Sequence, residues 1–245
     1  KTWSRKVCLW VGFGTATTWM RGDIVHFDIL VEDQSGKKAL DILVPKILAI
    51  AGGENTFRVY PYKGIGDIPR GLKPKTDADR RILLDQLPRL LAGLGKTYAG
   101  RLNYSAAVVV VCDLDNRCLK EFRGELDAVL NRCNPRPTTR FCIAVEEGEA
   151  WLLGDMAAIK AAFPNARDSV LDSYVNDSIC GTWELLADAI HKGGHAALAD
   201  LGWTAVGAEK SLWAELICPI MDIDNNRSPS FNHFKDKVLE LVAVD

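Results

Sequence analysis

Ala106-Ala107-Val108-Val109-Val110-Val111-Cys112-Asp113-Leu114-Asp115 is the stretch that decides the fold. Its apolar part is unbroken and mostly valine, the mark of a strand buried on both faces of a parallel sheet, and it stops abruptly at two acids. Upstream, 25–31 is β-rich and ends at Glu32. Asp33-Gln34-Ser35-Gly36 then supplies turn residues, and 37–51 has helical apolar spacing. Residues 56–60 predict another strand, 63–75 a Gly/Pro/Lys loop and 76–94 a helix. Downstream, a helix over 119–133 leads through Asn134-Pro135-Arg136-Pro137 into a fourth strand, 140–145. That strand runs into Glu146-Glu147-Gly148-Glu149 and a helix over 150–163. Alternating strands and helices joined by right-handed crossovers predict an α/β fold: a layered sheet of mostly parallel strands with helices on both faces.

Beyond Asp168 the strand signals fade, leaving helical candidates at 182–191, 195–201, 209–221 and 231–244. The expected organisation is an N-terminal extension (1–24), an α/β domain (25–165) and a C-terminal helical annex (166–245) packed on that domain. The 245 residues, 48% hydrophobic and 25% charged, suffice for a sizeable core and argue against disorder. A formal net charge of −2 gives no long-range field for drawing in nucleic acid, so any such contact is local. The seven cysteines form no C-x-x-C pair, and Cys112 and Cys142 lie in apolar runs, which reads as reduced thiols and a cytoplasmic setting. No apolar stretch approaches the roughly 20 residues of a membrane span. Residues 1–22 hold Trp3, Trp10 and Trp19 without a signal-peptide core and read as an extension, with Met20 a possible natural start.

In parallel sheets functional groups gather beyond the carboxyl ends of the strands. Three of the four predicted strands end in acids: Glu32, then Asp113 and Asp115, then Glu146 and Glu147. Asp113 and Asp115 alternate and are expected to turn the same way, with Leu114 pointing back into the core. Magnesium takes one or two carboxylates and keeps waters for a phosphate substrate. Any single acid reads equally well as a helix cap or a solvated turn. Several on adjacent strands would repel one another without a cation.

Phe27-Asp28-Ile29-Leu30-Val31-Glu32-Asp33-Gln34-Ser35-Gly36, 109–115, Ile143-Ala144-Val145-Glu146-Glu147-Gly148-Glu149-Ala150-Trp151-Leu152-Leu153-Gly154-Asp155 and Asn226-Arg227-Ser228-Pro229-Ser230-Phe231 together resemble the bacterial domain-of-unknown-function family 4276. The resemblance spans nearly everything after Val25. That family is similar to a branch of the Toprim superfamily, which holds topoisomerase and primase catalytic domains and the overcoming-lysogenization-defect nucleases. Its members are often encoded beside ATPases in phage-defence loci.

The resemblance implies a nuclease that uses Mg2+ or Mn2+ on DNA or RNA, with an ATPase partner. Glu32 would be general acid/base or metal ligand, Asp113 and Asp115 the metal-binding pair, and Glu146, Glu147 and Glu149 accessory ligands. Asp33 stands where many Toprim nucleases have glycine, and Gly36 where a further acid would fall, which puts a second metal in question. Asp33 either substitutes for that acid or caps the following helix. A passive reading stays open beside the enzymatic one, a Toprim-like binding or regulatory subunit, and a homo-oligomer is compatible with either.

Other features carry two readings each. The loop Tyr62-Lys63-Gly64-Ile65-Gly66-Asp67-Ile68-Pro69-Arg70-Gly71-Leu72-Lys73-Pro74-Lys75 offers Lys63, Arg70, Lys73 and Lys75 to a nucleic-acid backbone, or is a solvated connection. Arg227 either touches substrate phosphate or pairs with the acids, and Ser230 reads as the N-cap of the last helix. His191 and His195 have zinc-like spacing without a third ligand and read as a surface pair. Trp151, Leu152 and Leu153 read as core. Neither a Walker loop, a Gly-x-Gly-x-x-Gly turn nor a Gly-x-Ser-x-Gly elbow is present, which leaves metal chemistry as the coherent case.

Overall fold

The computed structural model describes residues 24–71, 78–100 and 104–243. Four strands, β1 (Val25–Val31), β2 (Thr56–Pro61), β3 (Ser105–Asp113) and β4 (Thr139–Ala144), form one sheet in the order β2-β1-β3-β4. Every pairing is parallel, with Val31 opposite Val111 and Asp113 opposite Ala144. That register brings the ends of β1, β3 and β4 to one edge. The polyvaline run is the central strand β3, and Val108, Val109 and Val110 are fully buried, as a strand covered on both faces must be.

Two layers of helix cover the sheet. On one face, Leu30, Val108, Val110, Cys112, Phe141 and Ile143 pack against α2 (Leu83–Ala99) and α3 (Leu119–Asn131). On the other, Phe27, Ile29, Val109, Val111 and Cys142 share a core with α1 (Gln34–Ala51). The same core takes in α4 (Glu149–Leu153), α5 (Met156–Ala162), α6 (Asp168–Leu171), α7 (Thr182–Ile190), α8 (Gly194–Asp200), α9 (Trp203–Ile217) and α10 (Pro229–Val242). The C-terminal helices therefore complete a layer of the α/β unit: α9 lies along α1 and α10 against β4.

Several expected boundaries move, each for a local reason. The helix read over 150–163 is two helices. α4 stops at Gly154, where a side chain would meet Asn226 Oδ1 at 2.1 Å, and the chain restarts at Asp155, which caps α5 by accepting from the Ala158 N–H at 3.0 Å. The helix expected from 76 begins at Leu83, after a single 3-10 turn and the left-handed Arg81 (φ 53°). The helix read over 209–221 starts six residues earlier, at Trp203. The last helix is capped by Ser228, whose Oγ accepts from the Phe231 N–H at 3.1 Å, with Pro229 at the first turn. Ser230, expected as the cap, instead accepts from Trp151 Nε1 at 3.1 Å. Trp151 is core, stacked on Phe234 at 5.0 Å.

Cys112, Cys133, Cys142 and Cys218 are buried free thiols, and Cys118 and Cys180 are exposed. His191 and His195 do not face a common point: one ring sits by the Gly194 carbonyl and the other by Asp188. Among the described residues no helix is long and apolar enough to cross a membrane. Of the extension, only Ile24 falls within the described residues.

Candidate active site

The end of β1 leads directly into the site. Asp33 caps α1, its Oδ1 accepting from the Gly36 N–H at 2.7 Å and its Oδ2 from Ser35 Oγ at 2.6 Å. Capping thus consumes Asp33, and it fixes Glu32 between the end of β1 and the helix cap. Gly36 is tightly enclosed: a Cβ there would lie 2.7 Å from Val31 Cγ2 and 3.0 Å from Asp33 Oδ1. No acid fits at that position.

Glu32 leans across to β3, where its Oε2 accepts from the Asp113 N–H at 3.3 Å. The two carboxylates, 81 residues apart in the chain, line one recess with Gly148, Glu149 and Lys210. Burial pushes Glu32 up to about 7; the bond from Asp113 N–H opposes this, and the charges of Asp115 and Asp33 add to it. Asp113 is held well above the usual carboxylate range, first by burial and then by Glu32.

The turns after β3 and β4 are wound in the left-handed region, at Asp115 (φ 50°) and Glu146 (φ 63°), and the Asp115 N–H donates to Glu146 O at 3.0 Å. Leu114 points into the core as expected. Asp115 is half-buried, with its charge acting on Glu32. The structure does not bring Glu146 into the cluster. Its carboxylate accepts from the N–H groups of Cys180, Gly181 and Thr182 at 3.2, 2.8 and 2.8 Å, holding the start of α7. A carboxylate with that many backbone donors is a structural clamp.

Glu147 and Glu149 face a residue that sequence reasoning missed. Lys210 Nζ lies 2.9 Å from Glu149 Oε2 and 3.4 Å from Glu147 Oε2, with 14% of its side chain exposed. Burial alone would lower Lys210, but Glu149, Glu147 and Asp113 together hold it above the ordinary lysine range. Burial pushes Glu147 up to about 7 against the pull of Lys210. A signal was present: Val206, Trp213, Ala214 and Ile217 are the buried stripe of α9, and position 210 falls on it. A lysine on an apolar stripe is buried only when paired.

The basic residues expected at nucleic acid are dispersed. Lys63 and Arg70 are exposed on the loop after β2, which is tied to the site where the Gly64 N–H donates to Glu32 O at 2.9 Å. Lys73 and Lys75 lie outside the described residues. Arg227 is exposed at the far end of α4, its N–H donating to Gly154 O at 2.8 Å. Among the described residues no ion pair joins it to the acids. The anion at the start of α10 is internal: Asp177 accepts from Ser228 Oγ at 2.7 Å and from the Ser230 N–H at 2.6 Å.

Among the described residues no three His, Cys, Asp or Glu side chains converge at metal-ligating distance. The set still suits a hard cation. Glu32 and Asp113 crowd together with one hydrogen bond between them, while Glu149 Oε2 is already met by the Lys210 ammonium at 2.9 Å. Oxygen donors lacking enough protons are what Mg2+ or Mn2+ would satisfy. No curated protein and no solved structure matches the chain. The family model described as Domain of unknown function (DUF4276) matches residues 31–239, and the chain belongs to that family.

Proposed function

We propose that the protein is a divalent-metal-dependent nuclease of Toprim type, cleaving phosphodiester bonds of DNA or RNA. The observation that carries this reading is the meeting of Glu32 and Asp113, from neighbouring strand ends, in one recess where the two half-buried carboxylates share a single hydrogen bond. Glu32 and Asp113 would hold Mg2+ or Mn2+, with half-buried Asp115 beside them as the third acid. The ion would supply Lewis acidity toward a phosphodiester oxygen and a more acidic bound water. Glu32 is the group placed to take or return a proton, since burial holds it near neutrality. Lys63 and Arg70 stand on the loop fastened to Glu32, where they would meet substrate phosphate. The ATPase partner, the role in anti-phage defence and the cytoplasmic setting belong to the same proposal; partner and defence rest on family resemblance, and the setting on the cysteine pattern.

One observation favours a second reading, a non-catalytic binding or regulatory subunit. Lys210 already neutralises Glu147 and Glu149, so part of the acid cluster is satisfied without any ion. Incubation of the protein, alone and with its ATPase partner, with single- and double-stranded DNA and RNA decides between them. Cleavage that requires Mg2+ or Mn2+ and disappears in Asp113→Ala supports the enzyme. Absence of cleavage under every condition, or equal cleavage by Asp113→Ala, rejects it.

A further inference from the structure

We propose that Lys210 is a built-in counter-cation that permanently fills the Glu147–Glu149 side of the recess, so that the site takes a single divalent ion, between Glu32 and Asp113. The inference rests on the metal-dependent reading above and defines how many ions that site accepts.

Most acids around the recess are already partnered. Asp33 is occupied with the Gly36 N–H and Ser35 Oγ, and Glu146 with three N–H groups of the α7 start. Position 36, on the first turn of α1, admits no side chain. Glu147 and Glu149 both contact Lys210, at 3.4 and 2.9 Å. Glu184 acts through its charge on Glu147, on the Lys210 side. What remains is Glu32 and Asp113 lining the recess, with half-buried Asp115 near enough for its charge to act on Glu32. Two or three carboxylates with waters are the complement of one magnesium-sized ion.

Lys210 cannot easily leave. It rises from the buried stripe of α9, between Val206 and Trp213, and its ammonium lies in a recess walled by Trp151, Leu152 and Ala214. Withdrawing it would strand Glu149, whose side chain is 6% exposed, without a compensating charge. A second divalent ion beside Glu149 would have to sit against the ammonium, a like-charge contact in a poorly hydrated space.

The test is the number of Mn2+ ions bound by metal-free protein near neutral pH, read by loss of the free-ion EPR signal and by calorimetry. Wild type is expected to bind one ion, Glu149→Gln still one, Asp113→Asn none and Lys210→Met two. Lys210→Arg, which keeps the cation, is expected to bind one. If Lys210→Met folds poorly, Mn2+ should raise its thermal midpoint by more than it raises that of wild type. Two ions on wild type, or a lower stoichiometry in Glu149→Gln, overturns the Lys210 assignment and leaves the metal reading standing. No ion on wild type but one on Lys210→Met upholds Lys210 as the occupant and overturns the metal reading of the natural protein. No ion on any of these proteins overturns both.

Discussion

Two carboxylates, Asp28 within β1 and Glu32 just past its end, are four residues apart and have opposite surroundings. Asp28 lies buried within β1 and is well supplied with donors. Tyr98 Oη donates to its Oδ2, Tyr60 makes a second hydrogen bond, and His26 Nε2 stands 3.4 Å from Oδ1. Burial and then the Asp28 charge push the Tyr60 phenol upward, so the tyrosine holds its proton for that bond. Glu32, just past the strand end, has the Asp113 N–H as its hydrogen bond and acids for neighbours. A buried acid surrounded by donors is a structural element, whereas one surrounded by acids is kept for something that arrives later.

The sharpest way to break this contrast is to remove an acid from each end. Asp113→Asn should lower divalent-ion affinity and nucleic-acid cleavage by at least about a hundredfold, the several kcal/mol that ion chemistry supplies. Its thermal midpoint without metal should be unchanged or higher, because an amide replaces an acid that crowding by Glu32 and burial already hold in its protonated form. Asp28→Ala should do the reverse. Losing the shared acceptor of Tyr98 and Tyr60 should cost about 2–4 kcal/mol of stability in denaturant melts, while the folded fraction keeps its ion affinity. Equal stability losses from both substitutions would erase the distinction.

The pH dependence sharpens it further. Glu32 is raised from 4.5 to about 7 in the folded protein, so between those values the native state binds more protons than the unfolded chain. Stability from this group is therefore greatest below about 4.5 and declines as pH rises through 7. Glu147, also raised to about 7, acts in the same direction. His233, lowered from 6.5 by burial and by Arg123, acts against them. The difference between wild type and Glu32→Gln reports the Glu32 charge together with its effect on Asp113, which also holds its proton in the folded state: metal-free wild type should lose several degrees of thermal midpoint relative to the variant between pH 5 and 8. Saturating Mn2+ should remove that difference if the ion sits on Glu32.

Most of the fold was legible because its elements are local. The polyvaline run could only be a central strand, and the acids ending β1, β3 and β4 could be read without knowing where the helices pack. Glu32 and Asp113 came together because parallel register places equivalent strand ends side by side. Glu146 was misread because its partners, Cys180 to Thr182, lie more than thirty residues away in a segment with no motif. Lys210 is harder to read because a helix over 209–221 leaves out Val206, the part of the buried stripe that precedes position 210, and keeps only Trp213, Ala214 and Ile217 after it. Long-range polar pairs have no sequence period. They emerge only when packing fixes which buried charge has which neighbour.

The smallest effect concerns the start of α10, the second place where sequence suggested an anion and the structure provides one from within. Asp177, itself in the left-handed region (φ 55°), bonds Ser228 Oγ and the Ser230 N–H, while Ser228 Oγ also accepts from the Phe231 N–H. A helix start already holding a carboxylate has little affinity left for a phosphate. Ser228→Ala should thus cost about 1 kcal/mol of stability, the scale of a lost cap, with ion affinity and cleavage unchanged. A fall in cleavage at unchanged stability would instead mean that substrate displaces Asp177 there, which would make the α10 start resemble the Glu32 end of the sheet after all.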